Sequence, residues 1–277
     1  MNHFLSTHIF SNHRLTAVSL ERIWQAGIPA VEIFFAKQHL DWTDQAQIAE
    51  LGHFFRDTEL KVHSVHSPIY TDDVWGRSGP HSIITITEHV KPKRVQMVDQ
   101  IKRAIEFAET VPFRYLIQHI GVAGEEYDDR KVEAAFTALE ELSIFARHRG
   151  VEILLENIPN ALSSAERLRS FLGETHLNLG FCFDTGHAHL NEGVEAAFLL
   201  MKKQIRSTHV HDNDGKIDGH LFPFFAESGT IDWDEVMPLF RQRGDQFPLL
   251  LELKEAAEFP HPIDTIKQVF ERLESFA

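Results

Sequence analysis

The residues with the most chemical content form one run, Cys182-Phe-Asp-Thr-Gly-His-Ala-His189, which reads as a strand ending in a polar tip. Leu177–Phe183 is apolar enough for a buried strand, and it stops at Asp184, Gly186, His187 and His189, which a core does not accept unpartnered. A carboxylate and an imidazole three residues apart can converge on one metal ion. Taken alone, the run reads equally well as an Asp-Gly turn with incidental histidines. The same pattern recurs at the ends of other predicted strands, at His66, His119, Glu156, His211 and Glu252, with Asp218 and His220 in the loop after His211. Five imidazoles and four carboxylates in one cavity would be prohibitively unfavourable unless they pair, neutralise or hold metal.

Each position also has a bland explanation: a hydrogen-bonded histidine, a glutamate paired to a rim lysine or arginine, an Asx turn at Asp218. Those explanations must all hold at once at equivalent positions of successive strands, and metal is the simpler account. The donors are nitrogen and oxygen only. Glu156, Asp184, His211 and Glu252 would form a carboxylate-dominated site suited to Mn²⁺ or Mg²⁺. His66, His119, His187, Asp218 and His220 favour Zn²⁺, with Fe²⁺ or Co²⁺ as further fits, and favour more than one ion. The expectation is a divalent-metal cofactor of one to three ions. His209, two residues before His211, is expected one layer deeper and not as a ligand. Lys254 lies on the mouth side of Glu252, where it can meet a substrate oxygen or phosphate, and Cys182 reads as a small core residue.

The elements that must position these groups alternate regularly. Strands are predicted over Phe4–Phe10, Ala30–Phe35, Leu60–His66, Phe113–His119, Val151–Glu156, Leu177–Asp184, Ile205–His211 and Leu249–Leu253, with helical periodicity between them. Thr43 or Asp44 can cap one helix, and Ser163-Ser-Ala-Glu166 has the form of a capping box opening another. The stretch 69–87 is long and irregular and carries Trp75, which suits a lid or rim. Eight strand–helix units with no linker predict a single α/β domain over residues 1–277, a closed (β/α)8 TIM barrel whose strand C-termini form the active site. A doubly wound open sheet is the alternative, disfavoured because no Gly-x-Gly-x-x-Gly turn follows an early strand.

Composition narrows the function classes. A formal charge of −14 disfavours nucleic acid and anionic membrane as partners. One cysteine excludes an internal disulfide framework and suits a reducing, cytoplasmic setting. The start of the chain has no secretory pattern, and no apolar run approaches the ~20 residues of a membrane helix.

In combination, His66-Ser-Pro-Ile-Tyr70, Leu155-Glu-Asn157, Asp184-Thr-Gly-His187, His209-Val-His-Asp-Asn-Asp214, Asp218-Gly-His220 and Gly229-Thr-Ile-Asp-Trp233 resemble the xylose isomerase-like TIM-barrel superfamily. That group includes sugar and sugar-phosphate isomerases and epimerases, and endonuclease IV. Similarity to the epimerase branch implies one divalent ion held by Glu156, Asp184, His211 and Glu252, with the two glutamates as an acid–base pair on a ketose or related sugar. His66, His119 and His187 would orient substrate hydroxyls or hold a second ion, while Trp75, Phe222, Phe224 and Phe225 would exclude water. Similarity to endonuclease IV implies a three-zinc phosphodiesterase using all nine candidate ligands. The mouth loops are acidic, with Arg77 and Lys216 as their basic residues, which leans toward a sugar. A metal-dependent isomerase or epimerase is therefore expected, with a carbohydrate substrate, a homodimer in keeping with barrels of this type, and a non-catalytic sugar-binding barrel as third reading.

Overall fold

Val31 and Ile33 of one predicted strand, Leu116 and Ile117 of another, and Leu249–Leu251 of the last are all buried, as parallel strands covered by helices must be. The computed structural model, which describes residues 1–276, shows the sheet these strands build. The strands are β1 (His3–Ser6), β2 (Ala30–Phe34), β3 (Lys61–His66), β4 (Tyr115–His119), β5 (Glu152–Glu156), β6 (Gly180–Asp184), β7 (Ile205–His209) and β8 (Leu249–Leu251). Each pairs in parallel with the next, and β1 pairs with β8. A parallel bridge between Val210 and Leu251 brings β7 to β8, with Val210 N–H donating to the Leu250 carbonyl at 2.8 Å. The sheet thus closes as a (β/α)8 TIM barrel.

The helices are α1 (Ala17–Gln25), α2 (Gln45–Asp57), α3 (Lys91–Glu106), α4 (Asp129–Arg147), α5 (Ala165–Glu174), α6 (Thr185–Leu190), α7 (Val194–Met201), α8 (Trp233–Arg241) and α9 (Pro262–Ser275). They turn Leu20, Ile23, Leu51, Ile101, Leu139, Leu142, Phe198, Phe240 and Phe270 onto the outer face of the barrel. Asp44 caps α2 by accepting from the Ala46 and Gln47 amides.

Several boundaries differ from the sequence expectation. Thr7–Phe10 leaves β1 as a 3-10 turn, because the Ser6 side chain accepts the His8 amide. The cap of α5 is Ser164, which accepts from Arg167 N, while Ser163 is buried with its hydroxyl turned to the Ile120 carbonyl. β7 stops at His209, two residues short of the predicted end. Thr185–Leu190, expected as a polar tip, is the short helix α6, started by the Asp184 carboxylate accepting from His187 N at 2.7 Å.

His39, between β2 and α2, is fully buried. Its Nδ1–H donates to the His13 carbonyl at 2.7 Å, and its Nε2 has no partner among the described residues. Burial pushes its pKa down to about 4, outweighing the backbone hydrogen bonds that favour the charge. The unfolded chain, with an ordinary histidine near 6.5, therefore binds more protons than the folded one between those values. His39 thus contributes stability fully above about pH 6.5 and loses it as the pH falls toward 4, by up to about 3 kcal/mol. His39→Asn, which keeps a donor for the His13 carbonyl but cannot titrate, should flatten the decline in urea-unfolding free energy between pH 6.5 and 4. A decline as steep as that of the wild type would exclude His39 as its source.

Candidate metal centre at the barrel mouth

Five successive strands end on a potential ligand: β3 on His66, β4 on His119, β5 on Glu156, β6 on Asp184 and β7 on His209. Register places them side by side, since His119 pairs with Glu156 and Asp184 with His209. Glu252 follows β8 directly. Glu156, Asp184, His209 and His211 are each 0% exposed, so these charges face one another and not water.

Besides the trio Glu156, Cys182 and His209, three groups of donor atoms result, each with all members within 4.8 Å of one another. The first is His66, His119 and Glu156; the second Glu156, Asp184, His209 and Glu252; the third His187, His211, Asp218 and His220. Glu156 bridges the first two, with Oε2 3.0 Å from His119 Nε2 and Oε1 3.1 Å from His209 Nδ1.

Ring hydrogen bonds show which nitrogens are available. His66, His187, His211 and His220 turn Nδ1 to the carbonyls of Ser67, Asn157, Asp212 and Glu252, at 2.8, 3.0, 3.3 and 3.0 Å. A carbonyl only accepts, so Nδ1 carries the hydrogen and Nε2 presents a lone pair to the mouth. The Nε2 atoms of His66 and His119 stand 3.1 Å apart, and those of His187 and His220 lie 3.1 and 3.3 Å from Asp218 Oδ2. Lone pairs facing lone pairs and carboxylates require protons or cations between them. A donor set of imidazole nitrogen and carboxylate oxygen with ring orientations fixed by outer hydrogen bonds fits divalent metal.

With protons as the only cations, the groups lean on one another strongly. Burial opposes the charge on His187 and His220, but Asp218 and the neighbouring carboxylates outweigh it, raising His187 well above the usual range and His220 to about 9. Burial also opposes the charge on Glu156, yet His209 and His119 hold that carboxyl well below its ordinary value. At Glu252 burial prevails over His209 and His220, and its affinity for a proton rises.

The nine residues selected from sequence do come together, but their grouping differs from the expected one. His211 was expected with Glu156, Asp184 and Glu252. It lies instead in the group of His187, Asp218 and His220, with its Nε2 3.1 Å from Asp184 Oδ2. His209, expected deeper, occupies the place beside the three carboxylates, its Nδ1 3.1 Å from Glu156, 3.2 Å from Glu252 and 3.8 Å from Asp184. The strand ends two residues earlier than predicted, and both histidines face Asp184.

Trp75 reaches the mouth from the loop after β3, stacked on Phe34 at 4.6 Å, and Phe34 touches His66. Lys254 is exposed, and its backbone N–H donates to the His220 carbonyl. Phe222 packs against Phe259 and Phe224 against Phe276. Cys182 is buried in the barrel interior with Tyr115, Ile117 and Leu154. Two buried groups escaped the sequence reading. Glu32 bonds His209, and its signal was a carboxylate inside the apolar run Ala30–Phe35. His8 packs on His220 and Phe34 and donates from Nδ1 to the Leu253 carbonyl.

Comparison with known proteins agrees with this architecture. The chain belongs to the xylose isomerase-like TIM-barrel family, whose model matches residues 20–276. It is 24% identical over 241 residues to the uncharacterized protein y4fM of Sinorhizobium fredii, covering 77% of this chain and 76% of that one. It is 29% identical over 157 residues to inosose dehydratase of Erwinia tasmaniensis, half of this chain and 53% of the other. Among solved structures, a D-tagatose 3-epimerase-like protein superposes with a TM-score of 0.77 at 23% identity, covering 100% of this chain and 97% of that one. The IOLI protein with a zinc atom superposes with a TM-score of 0.78 at 17% identity, covering 100% and 99%. At these identities the superpositions establish the fold.

Gly186, in the first turn of α6, lies directly under the His211 ring, and a β-carbon there would collide with it. Gly186→Ala should displace that ring and destabilise the protein by about 1–3 kcal/mol in urea unfolding. A variant as stable as wild type would show that the ring is not held in this place.

Proposed function

We propose that the protein is a divalent-metal-dependent isomerase or epimerase of a ketose or related polyhydroxylated carbonyl compound. The observation that carries the reading is the pair Glu156 and Glu252, two buried carboxylates within hydrogen-bond reach of the same His209 nitrogen. Glu156, Asp184, His211 and Glu252 would hold the catalytic ion, His211 through the Nε2 that lies 3.1 Å from Asp184 Oδ2. When bound, such an ion polarises a carbonyl and steadies the negative charge that develops on its oxygen.

The rest of the chemistry falls to the chain. One of Glu156 and Glu252 removes the proton alpha to the substrate carbonyl, and the other returns a proton to the same or the neighbouring carbon. His66, His119 and His187 hold substrate hydroxyls or a second ion. Trp75, stacked on Phe34 beside His66, covers the mouth and keeps water from the carbanion. The sugar-acting names among the similar structures and the dehydratase among the relatives support a carbohydrate substrate. Dehydration of a hydroxyketone begins with the same alpha-proton removal, so a product screen should include the unsaturated product.

Glu156→Gln and Glu252→Gln should each lower turnover by about a hundredfold or more, with far-UV circular dichroism unchanged. Wild type should incorporate solvent deuterium at the carbon next to the carbonyl. Near-normal turnover in either variant removes that residue from the mechanism, and a ligand bound without exchange favours a non-catalytic barrel.

The three neighbouring donor groups, two of them sharing Glu156, favour a second reading, a three-zinc phosphodiesterase of the endonuclease IV kind. Three tightly held zinc ions together with cleavage of abasic duplex DNA would establish it in place of the first. A single exchangeable Mn²⁺ or Mg²⁺ and intact DNA would exclude it.

A further inference from the structure

The runs His209-Val-His-Asp-Asn-Asp214 and Gly229-Thr-Ile-Asp-Trp233 flank the loop that carries Asp218 and His220, and one side chain joins them. That side chain is Asp212, which is 2% exposed. Its Oδ1 accepts from the amides of Asn213, Thr230 and Ile231 at 2.8, 3.0 and 3.0 Å. Its Oδ2 accepts from Trp233 Nε1 at 2.9 Å. The donors at 230, 231 and 233 stand at the far end of the loop, where α8 begins. Gly229 lies so close to the carboxylate that a β-carbon there would come within 2.8 Å of Asp212 Cγ. Bonds from N–H groups to a carboxylate are charge-assisted and stronger than neutral ones, so this neck of the loop is firmly closed.

The backbone of the same residue acts on the other side. Its N–H and carbonyl exchange hydrogen bonds with Leu221, the residue after His220, at 2.9 and 2.8 Å. The second lone pair of that carbonyl receives His211 Nδ1–H at 3.3 Å, which turns Nε2 of the ring to the mouth. The sheet ladder does not supply this hold, because β7 stops at His209. Between the two ties the loop presents Asp218 and His220, and His187 meets Asp218 from α6 with its Nε2 3.1 Å from Oδ2.

We propose that Asp212 is a positioning residue for the group His187, His211, Asp218 and His220, whose donor atoms lie within 4.8 Å of one another. Its carboxylate closes the neck of the loop and its carbonyl orients the His211 ring, so that the four donors can share one divalent cation. The proposal rests on the metal reading above and adds to it the residue that assembles this group. Asparagine at position 212 is nearly isosteric, but its oxygen keeps the three amides only by turning its NH2 toward Trp233 Nε1–H, donor against donor. Trp233→Phe removes that conflict.

Zinc affinity at the group can be read from the zinc-induced shifts of the His187 and His220 ring nitrogens in ¹⁵N-histidine-labelled protein, under competition with a chelator. Asp212→Asn should weaken it by about 10–100-fold, and adding Trp233→Phe should recover most of the loss. The comparison is made where circular dichroism shows each variant folded, since a merely structural role would lower Tm and leave the affinity of the folded protein unchanged. Trypsin supplies a readout without metal: cleavage after the exposed Lys216 should rise by about tenfold or more in metal-free Asp212→Asn, with cleavage elsewhere unchanged. Should Asp212→Asn fail to fold, Trp233→Phe alone, which removes one of the four bonds, must weaken zinc binding and speed the same cleavage. Wild-type zinc affinity at the group, or a loop cleaved no faster than in wild type, would overturn the proposal while leaving the metal reading standing. A wild-type protein that takes up no zinc would remove both, whatever trypsin shows.

Discussion

The structure depends on placing many ionisable groups at one end of a closed barrel with almost no water among them. Glu32, Glu156, Asp184, His209 and His211 are each 0% exposed. An isolated charge in such surroundings is strongly unfavourable, and a partner at about 3 Å offsets it only if the remaining lone pairs and hydrogens are also satisfied. The chain meets that condition by assigning each ring nitrogen an outer partner, a backbone carbonyl for His66, His187, His211 and His220 and a carboxylate for His209. What remains unsatisfied points inward, and that surplus of electron pairs suits a divalent cation.

The scaffold makes this arrangement affordable. Parallel strands buried on both faces fix the backbone, so side chains at strand ends inherit its precision. Asn157 shows how local the control is: its side chain exchanges two hydrogen bonds with the backbone of Asp184, and its carbonyl receives His187 Nδ1–H. Asp184 in turn opens α6, which carries His187 toward Asp218. Strand β5 thereby sets the geometry of residues on β6 and the helix after it.

Much of this was legible in the sequence. Eight apolar runs alternating with helical periodicity gave the barrel, and polar residues at the ends of the runs gave the nine-residue constellation. Errors clustered where strands stop. Extending β7 to His211 carried the strand two residues too far, because an apolar or polar pattern does not register where the ladder loses its last hydrogen bond. Helix α6 was missed for a related reason: Asp-Thr-Gly-His has poor helix propensity, and the helix forms because the Asp184 carboxylate and the packed His187 ring hold it in place.

The sequence by itself determined the fold class and the chemical types of the site, since both follow from local patterning that each segment carries alone. Tertiary structure decided which imidazole stands among the three carboxylates, which nitrogen it turns to them, and that a glutamate from a distant strand bonds the other nitrogen. Those are distances between residues such as Glu32 and His209, separated by 177 positions, and they exist only once closure of the barrel brings non-adjacent strands face to face.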